Sequence, residues 1–154
     1  MNTNSIFSQV TEIQLTYKNK INLSDRPRIT CSEDAYKILK DNWNQDTLEL
    51  REEFKILLLN RANKVLGIVH ISSGGVSGTV VDPKLIFAAA LKANSSGIIL
   101  SHSHPSGNLK PSEADISLTN KLKNGGTLLE ISVLDHLIIT KDGYYSFTDQ
   151  GMIN

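Results

Sequence analysis

The sequence predicts an α/β protein with a mixed β-sheet and helices packed on its faces. Its 154 residues suit one domain, which at this size hides about 70% of the surface of the unfolded chain. Segments with strand patterns alternate with helical ones, and some consecutive strands are separated only by turns. The apolar fraction of 40% and charged fraction of 21% are typical of a globular protein that forms its own core.

We interpret residues 1–49 as an N-terminal extension, one strand plus one helix, packed on a domain at residues 50–154. The segment TEIQLTY at 11–17 alternates apolar and polar side chains, which predicts a half-buried strand. SEDAYKILKDNW at 32–43 carries the apolar stripe of a helix, with Ser32 as its predicted N-cap.

The middle of the chain predicts two adjacent strands and a helix. EEFKILLLN at 52–60 is apolar on both faces, as in a central strand, and VLGIVHIS at 65–72 follows it after a turn. After a loop at SGGVSG, DPKLIFAAALKAN predicts a helix with Asp82 as N-cap and Pro83 at its first position.

The last third predicts a strand, a helix and a hairpin. GIILS at 97–101 is a short buried strand that leads directly into His102. SEADISLTNKLKNGG at 112–126 predicts a helix that ends at its two glycines. LLEISVLDHLIIT and YYSFTD flank a KDG turn, which predicts the hairpin.

Composition excludes several kinds of protein and predicts a soluble, cytoplasmic one. With Cys31 as its one cysteine, the chain has no internal disulfide and no cysteine-based zinc cluster. The N-terminus lacks the pattern of a signal peptide, and no apolar stretch approaches a membrane span. The zero net charge does not support a nucleic-acid-binding surface. Oligomeric state and substrate remain open.

The segment SHSHPSGNLKPSEAD at 101–115 contains candidate metal ligands. His102 and His104 are two residues apart at a strand end, so their side chains point to the same side. Asp115 follows in the first turn of the next helix, after a loop with Gly107 and two prolines. Two imidazoles and one carboxylate leave a fourth tetrahedral position open, as in catalytic zinc sites.

A helix cap is the simpler alternative for part of this segment. Ser112 is a good N-cap and Asp115 would lie in the first helical turn without any metal. The paired histidines favour the metal site, and a capping hydroxyl is compatible with a catalytic role.

HSHPSGNLKPSEAD resembles the JAMM motif of JAB/MPN-domain metalloproteases, which reads His-x-His, seven residues, Ser, two residues, Asp. His102, His104, Ser112 and Asp115 match its fixed positions. From about residue 50 onwards the chain is similar to the RadC-type branch. The resemblance implies an MPN/JAB-like fold and zinc-dependent hydrolysis of peptide or isopeptide bonds in a peptide or protein substrate.

The resemblance also implies residue roles. His102, His104 and Asp115 would bind one Zn²⁺, although such a ligand set also accepts manganese, iron or cobalt. Ser112 would donate a hydrogen bond to the oxyanion. The family places a catalytic glutamate on an upstream strand, where Glu52 and Glu53 point to opposite faces. RadC-type relatives have it two residues before a phenylalanine, which favours Glu52.

Two other functions remain alternatives. A metal-dependent phosphoesterase or nuclease usually collects more ligands than four histidines allow. A non-catalytic MPN interaction module usually lacks the ligands that are intact here. RadC-type proteins carry a DNA-repair label, which reaches this chain by family only. His70 is expected to be a packed or surface histidine rather than a ligand. Packing is the expected role of His136, although it lies in a stretch shared with RadC-type relatives and a role behind the metal ligands is its alternative.

Overall fold

The computed structural model describes residues 9–74 and 80–154, in which strands and helices alternate. In chain order the elements are α1 (Ser32–Asp41), β1 (Glu53–Leu59), β2 (Val65–Ser73), α2 (Pro83–Lys92), β3 (Gly97–Ser103), α3 (Glu113–Leu128), β4 (Ser132–Ile139) and β5 (Tyr144–Ser146). The strands form one mixed sheet in the order β2-β1-β3-β4-β5. This confirms the predicted α/β class. The loop predicted at SGGVSG falls mostly outside the described residues.

The sheet topology brings three chain segments to one edge. β1 pairs antiparallel with both β2 and β3, and β4 pairs antiparallel with β5 as the predicted hairpin. β3 and β4 are parallel, so they need a crossover, and α3 supplies it. The carboxyl end of β3 therefore lies beside the amino end of β1 and the start of α3.

Two apolar layers cover the central strands. On one face, side chains of β1 and β3 pack with α2 and α3; the buried residues there include Phe54, Ile56, Leu58, Ile86, Ala90, Leu100 and Leu122. On the other face they pack with α1; that cluster includes Ala35, Leu39, Trp43, Leu57, Leu59, Ile99 and Leu137. Because β1 is buried on both sides, its continuous apolar sequence is explained.

The prediction of a strand at residues 11–17 is wrong. These residues form no strand in the structure, and Ile13 and Leu15 are 82% and 76% exposed. Tyr17 contacts the sheet through its hydroxyl, which donates to the Leu66 carbonyl at 2.6 Å. Alternation shows which side chains would share a face, but a strand also needs a neighbour that accepts its backbone hydrogen bonds.

The predicted start of α1 also needs correction. Ser32 is the first helical residue, and the N-cap is Cys31, which makes no capping bond with its side chain. Instead the Asp34 carboxylate accepts hydrogen bonds from the backbone and the hydroxyl of Thr30, at 2.8 and 2.6 Å. Asp82, by contrast, caps α2 as predicted, since its side chain accepts from the Lys84 N–H.

The two glycines predicted to end α3 lie inside it. The helix continues to Leu128, and a Cβ at Gly126 would stand 2.3 Å from the Ile131 carbonyl oxygen. Gly125 packs against the ring of Phe87, which is 3.0 Å from where a Cβ would lie. Both positions are glycine because neighbouring groups approach the helix closely. None of the helices in the described ranges is long and apolar enough to cross a membrane.

Candidate metal centre

Strand register determines which glutamate approaches the histidines. In the antiparallel pair of β1 and β3, Phe54 lies opposite His102. Continuing this register by two residues places Glu52 opposite His104, and alternate residues share a face. The Glu52 Oε1 lies 3.7 Å from the His104 Nε2. Glu52 is therefore the candidate that the fold brings to the histidines.

Glu53 points away from this site and is engaged elsewhere. Its carboxylate accepts a hydrogen bond from the Arg51 Nε at 3.1 Å and lies 3.9 Å from the His70 Nδ1. Burial would raise the pKa of Glu53, but hydrogen bonds from Thr47 and Arg51 keep it below its usual value. Glu53 and His70 thus belong to a separate polar cluster on the sheet.

The side chains of His102, His104 and Asp115 converge on one point. The two Nε2 atoms are 2.9 Å apart. The Asp115 Oδ1 lies 3.3 Å from the Nε2 of His102, and the other carboxylate oxygen, Oδ2, lies 3.4 Å from the Nε2 of His104. Ligands at about 2.0–2.1 Å in a tetrahedral zinc site are separated from one another by about 3.3–3.4 Å. The Asp115 distances match this spacing, and the two nitrogens are a few tenths of an ångström closer.

The donor and acceptor properties of these atoms also fit a cation. The His104 Nδ1 lies 2.6 Å from the Asn108 carbonyl oxygen, which can only accept. The Nδ1 therefore carries a hydrogen, and in the neutral ring the Nε2 keeps a free lone pair. The ionised Asp115 carboxylate is also an acceptor only. With both Nε2 atoms unprotonated, as in metal ligands, these lone pairs would be stabilised by a positive ion between them. Without an ion, a hydrogen on either Nε2 can donate to the Asp115 carboxylate instead.

A capping box holds the Asp115 carboxylate in place. The Ser112 hydroxyl accepts from the Asp115 N–H at 3.1 Å, and the Asp115 Oδ2 accepts from the Ser112 N–H at 2.8 Å. The same carboxylate faces both histidines. Asp115 therefore takes part in the helix cap and faces the two histidines at the same time. A helix cap and a metal site are thus compatible interpretations of this segment.

Electrostatics couple Asp115 to the histidines. Burial would raise the pKa of Asp115, but hydrogen bonds with His102 and His104 hold it well below its usual range, so the carboxylate is ionised. Burial would lower the pKa of His104, but Asp115 and the Asn108 carbonyl favour its charged form and raise the pKa overall. Both pKa shifts arise because the negative charge of Asp115 attracts positive charge to this point, as it would attract a cation.

A surface groove gives solvent access to the centre. It has a volume of about 460 Å³, and Glu52, His104 and Ser112 all line it. A larger groove of about 790 Å³ lies at the other end of β3, next to Gly97 and Ser132, and has no histidine in its lining. The groove at the histidines is therefore the better candidate for substrate access.

Two residues lie behind the ligands: His136, for which the sequence analysis favoured packing and kept this role as the alternative, and Thr119, which it did not single out. His136 is fully buried and stacks on Phe147 as expected for packing, but its Nε2 also lies 2.7 Å from the His102 Nδ1. The Thr119 Oγ1 lies 2.6 Å from its other ring nitrogen. Burial lowers the pKa of His136 well below its usual value. A threonine four residues after Asp115, on the same side of α3, was the available sequence signal.

Comparison with known proteins identifies close relatives. The sequence profile of RadC-like JAB domains matches residues 29–152. A UPF0758 protein of Flavobacterium johnsoniae is 45% identical over 125 residues, 81% of this chain and 53% of the relative. UPF0758 proteins of Porphyromonas gingivalis and Desulfitobacterium hafniense are 46% and 44% identical, over 67% of this chain and 46% and 45% of their own lengths. The chain spans about half the length of the curated relatives that it matches.

Proposed function

This chain belongs to the RadC-like JAB domain family, and from that membership we propose that it is a JAMM-type zinc hydrolase of peptide or isopeptide bonds. The observation that carries the proposal is the convergence of two imidazoles and one carboxylate on a point beside Glu52. The ligand atoms of Glu52, His102 and His104 all lie within 4.8 Å of one another, a spacing compatible with a metal ion, and Asp115 adds a second carboxylate beside the two histidines.

In this proposal His102, His104 and Asp115 hold the ion. Two neutral imidazoles and one carboxylate suit zinc and leave a position free for substrate or solvent, and manganese, iron or cobalt are chemical alternatives. When bound, zinc supplies Lewis acidity, which lowers the pKa of a coordinated water from about 9 in aqueous zinc to about 7.

Glu52 is the proposed general base. It lines the groove and is close to His104 without belonging to the three proposed ligands. Its carboxylate would take a proton from the attacking water and later deliver it to the leaving amine nitrogen. The partly exposed position suits this exchange because the carboxylate is next to the ligands and reaches solvent.

Ser112 is the proposed oxyanion donor. Its hydroxyl oxygen accepts the Asp115 N–H, and the hydroxyl hydrogen remains able to donate to a substrate oxygen in the groove. The backbone N–H of the same residue holds the Asp115 carboxylate. Side chain and backbone of Ser112 therefore have separable roles, one toward the substrate and one toward the ligand.

The phosphoesterase alternative is disfavoured by the number of ligands. In the part of the chain that the structure describes, one group of side chains has the spacing of a metal site: Glu52, His102 and His104, with the proposed ligand Asp115 facing both histidines. Two-metal phosphoesterases hold their ions about 3.5–4 Å apart and need ligands for both. A purely structural module would not need an acidic side chain at the position of Glu52, next to converging acceptors.

Incubation of the zinc-loaded protein with a peptide mixture tests the proposal. The mixture should include peptides branched through a lysine ε-amine, and mass spectrometry would detect the new termini. We expect chelator-sensitive cleavage, and a Ser112→Ala rate lower by about 10²–10³ because one oxyanion donor is lost. Ser112→Ala should still bind zinc, since the backbone N–H that holds Asp115 remains.

Ser112→Thr is the matched control because it keeps both the hydroxyl and a good N-cap. Wild-type cleavage by Ser112→Ala would contradict the role of Ser112. Hydrolysis of bis(4-nitrophenyl) phosphate without any peptide cleavage would favour the phosphoesterase alternative.

A further inference from the structure

Two surface grooves meet at the metal centre. The groove of about 460 Å³ that Glu52 and Ser112 line is named the catalytic groove. A second groove, of about 370 Å³, is lined by residues 140–143 at the turn between β4 and β5, and we name it the hairpin groove. Residues 104–106 line both grooves and lie between them. A substrate that crosses these residues at the metal position therefore has one groove on each side.

The hairpin groove has one unbalanced negative charge. Its lysines and acids are Glu49, Lys141 and Asp142. The Lys141 Nζ lies 3.4 Å from the Glu49 Oε1, so these two charges balance each other. Asp142 is exposed, and its carboxylate has no ion-pair or hydrogen-bond partner within residues 9–74 and 80–154. Its charge is therefore free for a cationic group of a ligand.

The free charge of the catalytic groove is positive. Lys110 is the only lysine or arginine in its lining. The side chain is exposed, and its ammonium group forms no ion pair or hydrogen bond in the part of the chain that the structure describes. The two glutamates of the lining are engaged elsewhere, since Glu49 pairs with Lys141. Glu52 faces His104 at 3.7 Å. Lys110 is therefore free for an anionic group of a ligand.

Hydrogen bonds hold the backbone at both free charges. The Thr140 N–H donates to the Gly143 carbonyl at 2.9 Å, and the Gly143 N–H donates to the Thr140 Oγ1 at 3.1 Å. These bonds close the turn that carries Asp142. On the other side, the Lys110 N–H donates to the Asn108 Oδ1 at 3.0 Å. Both charges therefore start from ordered backbone, which lowers the entropy lost when a ligand binds.

We propose that the protein prefers substrates with an acidic side chain on one side of the scissile bond and a basic side chain on the other. The acidic side chain pairs with Lys110 in the catalytic groove, and the basic one pairs with Asp142 in the hairpin groove. This inference rests on the proposed function and names the substrate class of the same site. Because both pairs are exposed, each should favour the matching substrate by about two- to fivefold, and both together by about tenfold.

Four peptide libraries test this preference. Each has four randomised uncharged positions at its centre. Two libraries carry aspartates at one end and lysines at the other, in either order, and two carry the same charge at both ends. We expect the zinc-loaded protein to cleave one mixed-charge library about tenfold faster than the other, with the like-charge libraries between them. The difference should shrink at high salt, because exposed ion pairs are screened. Equal cleavage of all four libraries would overturn the proposal.

Charge reversals assign the preference to the two side chains. Lys110→Glu should make the catalytic groove prefer lysine, and Asp142→Lys should make the hairpin groove prefer aspartate. The double variant should therefore favour the mixed-charge library of the opposite order. Lys121→Glu and Asp25→Lys are the matched controls, because these exposed residues line neither groove, and they should keep the wild-type order. An unchanged order in the double variant would show that the preference arises elsewhere and would contradict the proposal.

Peptide binding to the metal-free protein separates this inference from the proposed function. Fluorescence anisotropy of four labelled peptides, with the same charge patterns around a glycine centre, should give affinities in the same order. Charge-dependent binding that the double variant reverses, without cleavage of any library, would uphold the charge preference and overturn the proposed function. Cleavage of all four libraries at one rate would overturn the charge preference and leave the proposed function intact. Neither binding nor cleavage would overturn both.

Discussion

Replacement of Asp115 by alanine is expected to abolish tight zinc binding. Asp115 would be the one charged ligand among the three, and its oxygens lie 3.3 and 3.4 Å from the two facing Nε2 atoms. Loss of a partner behind a ligand typically lowers metal affinity by about 10–100-fold, so loss of the ligand itself should exceed that range. Competition titration of the purified variants with a zinc-sensitive dye would measure the affinity.

Two further variants separate ligand loss from damage to the helix. Glu113→Ala removes the other acid in the first turn of α3, so it loses a similar helix-dipole interaction without losing a ligand, and should bind zinc normally. Asp115→Asn keeps an oxygen that can accept the Ser112 N–H, so it should fold well but bind zinc weakly. Wild-type affinity in Asp115→Ala would show that the ligand assignment is wrong.

Replacement of Glu52 by glutamine is expected to lower the rate of hydrolysis by about 10²–10⁴, the usual contribution of a positioned general base. Glutamine has nearly the same shape but cannot take a proton from water. Zinc content should stay at the wild-type value because Glu52 is not one of the three proposed ligands. Turnover of the peptides cleaved by wild type, measured on zinc-loaded variants, would test this.

Glu53→Gln is the matched control for Glu52→Gln. It changes the next residue in the same way, yet Glu53 is held by Arg51 on the other side of the strand. Its activity should remain within a few-fold of wild type. Its stability should fall, because the pKa of Glu53 is lowered in the fold and the charged form therefore stabilises it. Loss of activity in Glu53→Gln alone would reverse the assignment of the base.

The parts of the site that depend on local geometry could be predicted from sequence. His102 and His104 share a side because they are two residues apart in extended chain, and the capping box depends on residues three apart. The choice between Glu52 and Glu53 could not be made from strand parity. It depends on the register between β1 and β3, which is set by packing of the whole sheet.

The contacts behind the metal centre could not be predicted from local sequence patterns. His136 is 34 residues from His102 and 17 residues from Thr119 in the sequence. The parallel pairing of β3 with β4 brings His136 close to His102. The same limit explains the errors at residues 11–17 and at Gly126. Alternating side chains did not show that a partner strand was absent, and a glycine that permits close packing looked like a helix end.

The metal content of the wild-type protein tests the central claim most directly. The purified chain would be supplied with zinc, separated from unbound metal, and measured by plasma mass spectrometry. The convergence of His102, His104 and Asp115 predicts about one zinc ion per chain. No retained zinc, in protein shown to be folded, would contradict the metal centre. SHSHPSGNLKPSEAD would then be a loop with a helix cap, and the interaction module would become the better interpretation.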